Sequence, residues 1–218
     1  MALDAKLVRR LQKELETATP ATRTATDRAA GPRLTDDARR LWRRASRFVE
    51  RKVVDADVDA DALELACWAM QLPMAQPLLL PVGRMGVVPL RERAEQAAEL
   101  LVGQFADDID DSLLDRATRL LHETPQRPPM LDEAKLLADA ISLDDFGLTG
   151  LLRTLARLTL AGQGLDQLLE AVSKREQYGY FEARLKDGFH FDLTRQIARQ
   201  RLDHLRQILP ALRSELEE

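Results

Sequence analysis

The sequence predicts an all-α protein. Leu, Ala, Arg, Asp and Glu dominate its 218 residues, whereas the β-branched residues that favour strands are sparse. Apolar residues also recur every three or four positions over several stretches, which is the period of one helix face. Hydrophobic residues make up 45% of the chain. A chain of this length and composition can bury a substantial core without cross-links.

Charge and cysteine content narrow the class of protein. The net charge is −4 and the isoelectric point is near 5.6, which argues against a globally basic nucleic-acid binder. The single cysteine, Cys67, excludes an intrachain disulfide and a cysteine-based zinc cluster. The first 20 residues lack a signal-peptide core, and no apolar run is long enough for a membrane span. We therefore expect a cytoplasmic protein that does not enter a membrane.

The N-terminal segment predicts an amphipathic helix from about Leu3 to Thr17. The segment "ATPATRTATDRAAGP" that follows has no periodicity and is typical of a linker. We therefore expect residues 1–33 to form an N-terminal helix and linker, and residues 34–218 to form the main domain. The pattern does not determine whether the first helix packs on that domain.

A second helix is predicted to start at Thr35, an N-cap followed by two aspartates, and to continue through "ARRLWRRASRFVERKV". Its arginines lie opposite an apolar stripe and form a basic stripe from Arg39 to Arg51. Such a stripe could bind an acidic protein partner or phosphate, or could be a solvated face paired with nearby acids. The candidate binding residues are Arg40, Arg43, Arg44 and Arg47.

The next segment predicts the centre of the core. The acidic run "DADVDADALE" imitates the start of a calcium loop, but Ala60 replaces the turn glycine, so it is interpreted as the start of a helix. The helix through "LELACWAMQL" is apolar nearly all round and should be central. The stretch from Pro73 to Pro89 predicts an irregular connection that could shape a pocket rim or a binding surface.

The remaining sequence predicts more helices. One begins at Pro89 and runs to Phe105, and another runs from Ser112 to about Glu123. After "DEAKLLADAISLDDFG" come two further helical stretches and a long final helix from about Asp192 to Leu216. Pro210 should kink or interrupt that last helix.

The order of these segments resembles the HD-domain superfamily of helical, metal-dependent phosphohydrolases. "ALELACWAMQL" resembles the family's apolar helix that ends in a His-Asp pair, and "LLHETPQRPPMLDEAKLLADAISLDDFGLTGLL" resembles its "EA…DAD.LD..G" portion. "YFEARLKDGFHFDLTRQIARQRLDHLRQIL" resembles the closing helices of bacterial members. The resemblance implies an HD-domain-like helical bundle with an N-terminal helical extension.

The sequence departs from the family at the positions that the resemblance implies are metal ligands. Met70 and Gln71 stand where the family has His-Asp, and Ile141 replaces the second aspartate of "DAD". No histidine precedes His122. Methionine and isoleucine cannot hold Mg²⁺ or Mn²⁺, so these are degenerate ligand positions and we expect neither a metal nor another cofactor.

Four polar residues could still form a site. His122 matches a family histidine and could contact an anion, although a histidine at a helix end is stabilised there by the helix dipole. Asp139 could be a relic of a site or a buried hydrogen-bonding group. Asp144 and Asp145 could join it around a cation, or simply begin a turn before Gly147.

The other histidines and the aromatic residues favour structural roles. His190 and His204 have no metal-ligand spacing. The aromatic residues near the C-terminus could stack on a base, but core packing is favoured. They are Tyr178, Tyr180, Phe181, Phe189 and Phe191.

Two function hypotheses follow. The first is a catalytically silent HD-like domain that binds a protein partner or ligand, through the stripe from Arg39 to Arg51 or the Pro73–Pro89 connection. The second is a phosphohydrolase that uses Mn²⁺ or Mg²⁺ in an atypical centre built from His122, Asp139, Asp144 and Asp145. The sequence leaves the oligomeric state open.

Overall fold

A computed structural model describes residues 3–17, 30–75 and 88–217, and all regular structure within these ranges is helical. This confirms the prediction of an all-α protein. The chain divides into two compact units, Met1–Ala138 and Asp139–Glu218. The predicted division after residue 33 is not tested by this grouping and stays a prediction.

The first unit is built from six helices and the start of a seventh, as far as the structure describes it. They are α1 (Ala5–Thr17), α2 (Ala30–Glu50), α3 (Ala60–Ala69), α4 (Leu72–Ala75), α5 (Leu90–Phe105), α6 (Asp111–Glu123) and α7 (Asp132–Ser142), with a 3₁₀ turn at Ala106–Asp108. Most of the predicted linker, residues 18–32, and most of the Pro73–Pro89 connection lie outside the described residues. The last three linker residues, 30–32, belong to α2.

The N-terminal helix packs on the first unit. Its apolar stripe contacts α2 and α4, and Leu7, Leu11 and Leu15 are no more than 5% exposed. The guanidinium of Arg10 lies 5.0 Å from the ring centroid of Phe105 and pairs with Asp108. Helix α1 is therefore an integral part of this core, a point that the sequence pattern left open.

Helix α3 forms the centre of the first unit, as predicted. Every residue from Ala62 to Pro73 is buried, and α3 contacts α2, α5 and α6. The carboxylate of Asp59 accepts a hydrogen bond from the backbone N–H of Ala62 at 2.9 Å and so caps the helix. The acidic run before α3 therefore starts a helix, as its sequence indicated.

Helix α2 begins five residues earlier than predicted. Thr35 lies inside the helix and is only 2% exposed, so its predicted role as N-cap is wrong. The early start is compatible with Pro32, which lies in the first turn, where its missing N–H has no helical partner to lose.

The second unit contains the end of α7 and four further helices within the described residues. They are α8 (Gly147–Leu160), α9 (Leu165–Gln177), α10 (Tyr180–Asp187) and α11 (Asp192–Glu217), and a 3₁₀ turn at Leu143–Asp145 precedes α8. Helix α8 contacts α9 and α11, and α10 contacts the same two helices.

Aromatic rings form the core of the second unit. The ring centroid of Phe146 lies 5.8 Å from that of Phe181 and 5.5 Å from that of Phe189. These tilted contacts confirm core packing for Phe181 and Phe189. Tyr178 does not belong to this core, because it is 77% exposed.

The final helix continues through Pro210, so the predicted interruption does not occur. Proline removes one backbone donor and leaves the carbonyl four residues earlier without its helical partner. Pro210 and Arg206 are both exposed, and water can solvate that carbonyl. Among the described helices, none is long and apolar enough to cross a membrane.

Candidate functional site

Asp139, the aspartate that survives in the "DAD"-like segment, lies in α7 and is 0% exposed. Its Oδ1 accepts the backbone N–H of His190 at 2.9 Å, and its Oδ2 accepts the backbone N–H of Phe191 at 3.2 Å. The hydroxyl of Thr194 donates to the same Oδ2. His190 and Phe191 lie directly before α11 and Thr194 lies in its first turn, so Asp139 fastens the start of that helix to α7.

Burial and hydrogen bonding have opposite effects on the pKa of Asp139. Removal from water raises the pKa of Asp139 to about 6, and the hydrogen bonds from Thr194, His190 and Phe191 limit the rise because they favour the ionised form. The guanidinium of Arg195 acts in the same direction as the hydrogen bonds. Both oxygens of Asp139 are thus committed to the second unit's own backbone and side chains.

Asp144 and Asp145 are also paired within the second unit. Arg153 Nη1 lies 3.0 Å from Oδ2 of Asp144. Oδ2 of Asp145 lies 3.3 Å from Arg184 Nη2 and accepts the Tyr180 hydroxyl at 3.2 Å. Both aspartates lie in or next to the turn before Gly147, as the structural interpretation of the sequence predicted.

His122 lies in the last turn of α6 and is exposed. It contributes to an open groove of about 590 Å³ between this helix and the loop that follows it. The groove is lined by Asp115, Thr118, Arg119, His122, Glu123, Gln126, Pro128 and Met130. His122 is therefore accessible to a ligand, but its neighbours in the groove do not include the other candidate site residues.

Packed side chains occupy the three positions that the sequence resemblance implies are degenerate metal ligands. Met70 is 0% exposed and Gln71 is 5% exposed, and the carbonyl oxygen of Met70 accepts a hydrogen bond of 2.7 Å from Arg93 Nε. Ile141 is half-buried in the last turn of α7. Two of these positions thus belong to the core of the first unit.

In the part of the chain that the structure describes, the candidate residues do not fit a divalent metal centre. Within the described ranges, no group of three or more His, Cys, Asp or Glu side chains could hold a metal ion. The set of His122, Asp139, Asp144 and Asp145 does not form such a group, and its three aspartates are already engaged by donors or arginines.

The arginines of α2 do not all lie on the exposed side. Arg44 is only 9% exposed, so placing it on a solvent-facing stripe is wrong. Arg40 is half-buried and pairs with Asp37 at 2.7 Å. Arg43 and Arg47 are exposed, as predicted. A helix that advances 100° per residue carries Arg40 and Arg44 round to the flank of the packed face.

A buried glutamate that sequence reasoning passed over organises the first unit. Glu133 is 3% exposed; its Oε1 lies 2.6 Å from Arg116 Nη2 and accepts the backbone N–H of Asp59 at 3.1 Å. Its partners lie 17 and 74 residues away along the chain. The sequence signal was only an acidic residue at a helix start, which ordinarily interacts with its own helix.

Comparisons with known proteins bear on the fold alone. No family model matches the sequence, and no curated protein matches it. The structure resembles that of Bacillus subtilis YpgQ in complex with ADP, with a TM-score of 0.58 and 18% sequence identity over 96% of this chain and 95% of that chain. It also resembles the selenomethionine form of YpgQ, with a TM-score of 0.57, 19% identity and coverage of 96% and 94%. At 18% and 19% identity, this likeness shows a shared helical fold and no more.

Proposed function

We propose that this chain is a degenerate member of the HD-domain superfamily that acts by binding and does not carry out metal-dependent hydrolysis. The observation that supports this most directly is the burial and hydrogen bonding of Asp139. Both of its carboxylate oxygens are used to hold the start of α11, and the side chain is not exposed at all. A metal ligand needs an oxygen lone pair directed at the ion, and these oxygens are directed at backbone and hydroxyl donors.

The residues around the degenerate positions support the same proposal. Met70 supplies a thioether, Gln71 an amide and Ile141 no donor, whereas Mg²⁺ and Mn²⁺ prefer carboxylate, carbonyl and water oxygens. In a family whose chemistry depends on a metal-activated water, such a ligand set removes the group that lowers the pKa of that water. A fold that keeps its packing can still present a surface to a partner.

The binding surface that we propose is the exposed part of the α2 arginine stripe. Arg43 and Arg47 are exposed one helical turn apart, and α2 is anchored on its opposite face by buried residues such as Leu41 and Phe48. A rigid helix that presents guanidinium groups at regular spacing suits carboxylates on a protein partner.

The alternative function is a phosphohydrolase with an atypical centre. It is favoured by the overall likeness to YpgQ, whose structure was determined in complex with ADP. In this chain the candidate residue His122 is exposed and lines the groove beside α6.

Metal analysis combined with a hydrolysis screen separates the two functions. Purified protein would be analysed for bound metals and then assayed with Mn²⁺ against ADP, other nucleotides and phosphomonoesters. We expect metal well below one ion per chain and no turnover above the background of buffer with Mn²⁺. Stoichiometric metal, together with Mn²⁺-dependent turnover lost in His122→Ala, would overturn the proposal. His204→Ala, at another exposed histidine, is the matched control.

A further inference from the structure

Two exposed helix faces of the first unit carry opposite charges. On α2, four arginines spaced four residues apart are all exposed: Arg39, Arg43, Arg47 and Arg51. They form a row of about 18 Å along the helix, because each residue rises 1.5 Å. We call this row the arginine face. The last of the four follows the helix end directly.

The arginine face is largely without carboxylate partners. Arg39 Nη1 lies 3.8 Å from Asp36, a weak exposed contact, and Arg43 Nε donates to the carbonyl oxygen of Arg39 at 3.3 Å. Within the described residues, Arg47 and Arg51 have no ion-pair partner. Asp36 and Glu50 lie on the same side of α2 and reduce the positive charge of the face without cancelling it.

Helix α5 carries a largely acidic surface, in which the exposed Arg91, one turn before Glu95, reduces the negative charge without cancelling it. Glu92, Glu95 and Glu99 are exposed and spaced three and four residues apart, so that they lie on one side of the helix. We call this row the glutamate face. Glu92 accepts a hydrogen bond of 3.5 Å from Gln96, and in the described part of the chain none of the three glutamates forms an ion pair. Val102, which is 45% exposed, continues the row toward the end of α5.

The two faces do not neutralise each other within one chain. Guanidinium groups on one helix and carboxylates on another can form charge-assisted hydrogen bonds across an interface. Single exposed ion pairs contribute little, but several charges in one array add up and steer association. The unsatisfied charges are thus complementary between copies of the chain.

We propose that the arginine face of one copy docks on the glutamate face of a second copy, and that the reciprocal contact forms at the same time. In a reciprocal arrangement, each copy contributes one arginine face and one glutamate face, and the assembly is a closed dimer. If only one contact formed, each copy would keep a free face and the assembly would grow into an open-ended filament. The inference rests on the proposed function only in taking the α2 arginines as the binding surface. The partner is a second copy of this chain.

Charge exchange tests this proposal. Arg43→Glu with Arg47→Glu makes both faces acidic, and Glu95→Arg with Glu99→Arg makes both faces basic. Each variant alone should be monomeric, because like charges then oppose each other in both contacts. A one-to-one mixture should form a dimer, because the faces of the two variants are complementary again. A variant that merely misfolds would not be rescued in this way.

Light scattering coupled to size exclusion provides the readout. At about 50 mM salt and micromolar concentration, the unaltered protein should have twice the chain mass of 24.6 kDa, and at about 500 mM salt it should be monomeric. Lys186→Glu with Arg199→Glu, at exposed positions outside both faces, makes the same change in net charge and should remain dimeric.

A monomer at low salt, a dimer that survives Arg43→Glu with Arg47→Glu, or a mixture that stays monomeric would each overturn the inference. Larger open assemblies would contradict the closed pair. Because mass is measured without metal or substrate, failure here is distinct from failure of the proposed function, which is read from metal content and turnover.

Discussion

The backbone N–H of His190 donates a hydrogen bond of 2.9 Å to Oδ1 of Asp139, across 51 residues of sequence. Together with the N–H of Phe191, this contact satisfies the backbone donors of the two residues directly before α11, in a partly buried place. The aspartate that looked like the remnant of a metal site is therefore a helix cap supplied from another helix.

Removal of this cap should destabilise the second unit. We expect Asp139→Ala to lower the free energy of unfolding by about 2–4 kcal/mol, because two backbone N–H groups lose their acceptor. Urea unfolding followed by circular dichroism measures the loss. Asp192→Ala, which removes a 98% exposed carboxylate paired with Arg195, should cost less than about 1 kcal/mol. Equal losses in the two variants would contradict the capping role.

The raised pKa of Asp139 should make stability depend on pH. Since its pKa is about 6 in the folded chain and near 3.8 when unfolded, the folded state binds more protons between these values. The contribution of Asp139 to the free energy of unfolding is therefore fully present below pH 3.8. It is lost as the pH rises through about 6, and the loss amounts to up to about 3 kcal/mol. Unfolding free energies from pH 4 to 7 should show this slope, and Asp139→Asn should reduce it. If Asp139→Asn had the same slope of unfolding free energy against pH, groups other than Asp139 would cause the pH dependence.

Local patterns predicted most of the helices, because each helix buries one face and the period of its apolar residues reports that face. For Asp139, which interrupts an apolar run, they left two roles open, a relic of a site or a buried hydrogen-bonding group. They did not predict its partners. Periodicity shows which residues share a face but not which distant backbone groups meet that face, so the pairing with His190 required the structure.

Charge patterns were harder to interpret. The arginines of α2 alternate so closely that spacing alone did not separate the exposed Arg43 from the buried Arg44. The packing of α2 on α3 decides which of them faces water. The early start of α2 was missed for a different reason. A proline ends a helix at most positions but is tolerated in the first turn, where Pro32 lies.

The ion pair between the buried Glu133 and the half-buried Arg116 should stabilise the fold more than the exposed ion pair beside it. Arg116→Ala leaves Glu133, only 3% exposed, with a single backbone donor, so we expect a loss of about 1–3 kcal/mol. Arg119→Ala is a matched control one turn further along α6. Arg119 is 61% exposed and pairs with Glu123 at 3.0 Å, so its loss should cost at most about 1 kcal/mol. Thermal unfolding of both variants compares them, and a larger effect from Arg119→Ala would refute this ranking.

Two glycines inside helices should respond oppositely to alanine. At Gly150 in α8, an added Cβ would lie 2.5 Å from the backbone carbonyl oxygen of Asp145, which cannot move without disturbing the turn before α8. We expect Gly150→Ala to destabilise the protein by about 1–3 kcal/mol through this overlap. At Gly103 in α5 a Cβ meets nothing within 4 Å, so Gly103→Ala should stabilise the protein by up to about 1 kcal/mol through helix propensity.

Urea midpoints of the two alanine variants measure this difference. Because the substitution is the same, the contrast isolates the contact with the Asp145 carbonyl from the general preference of helices for alanine. If Gly150→Ala were as stable as Gly103→Ala, the turn at Leu143–Asp145 would have to yield to the new methyl group. The close approach of that turn to α8 would then not require glycine at position 150.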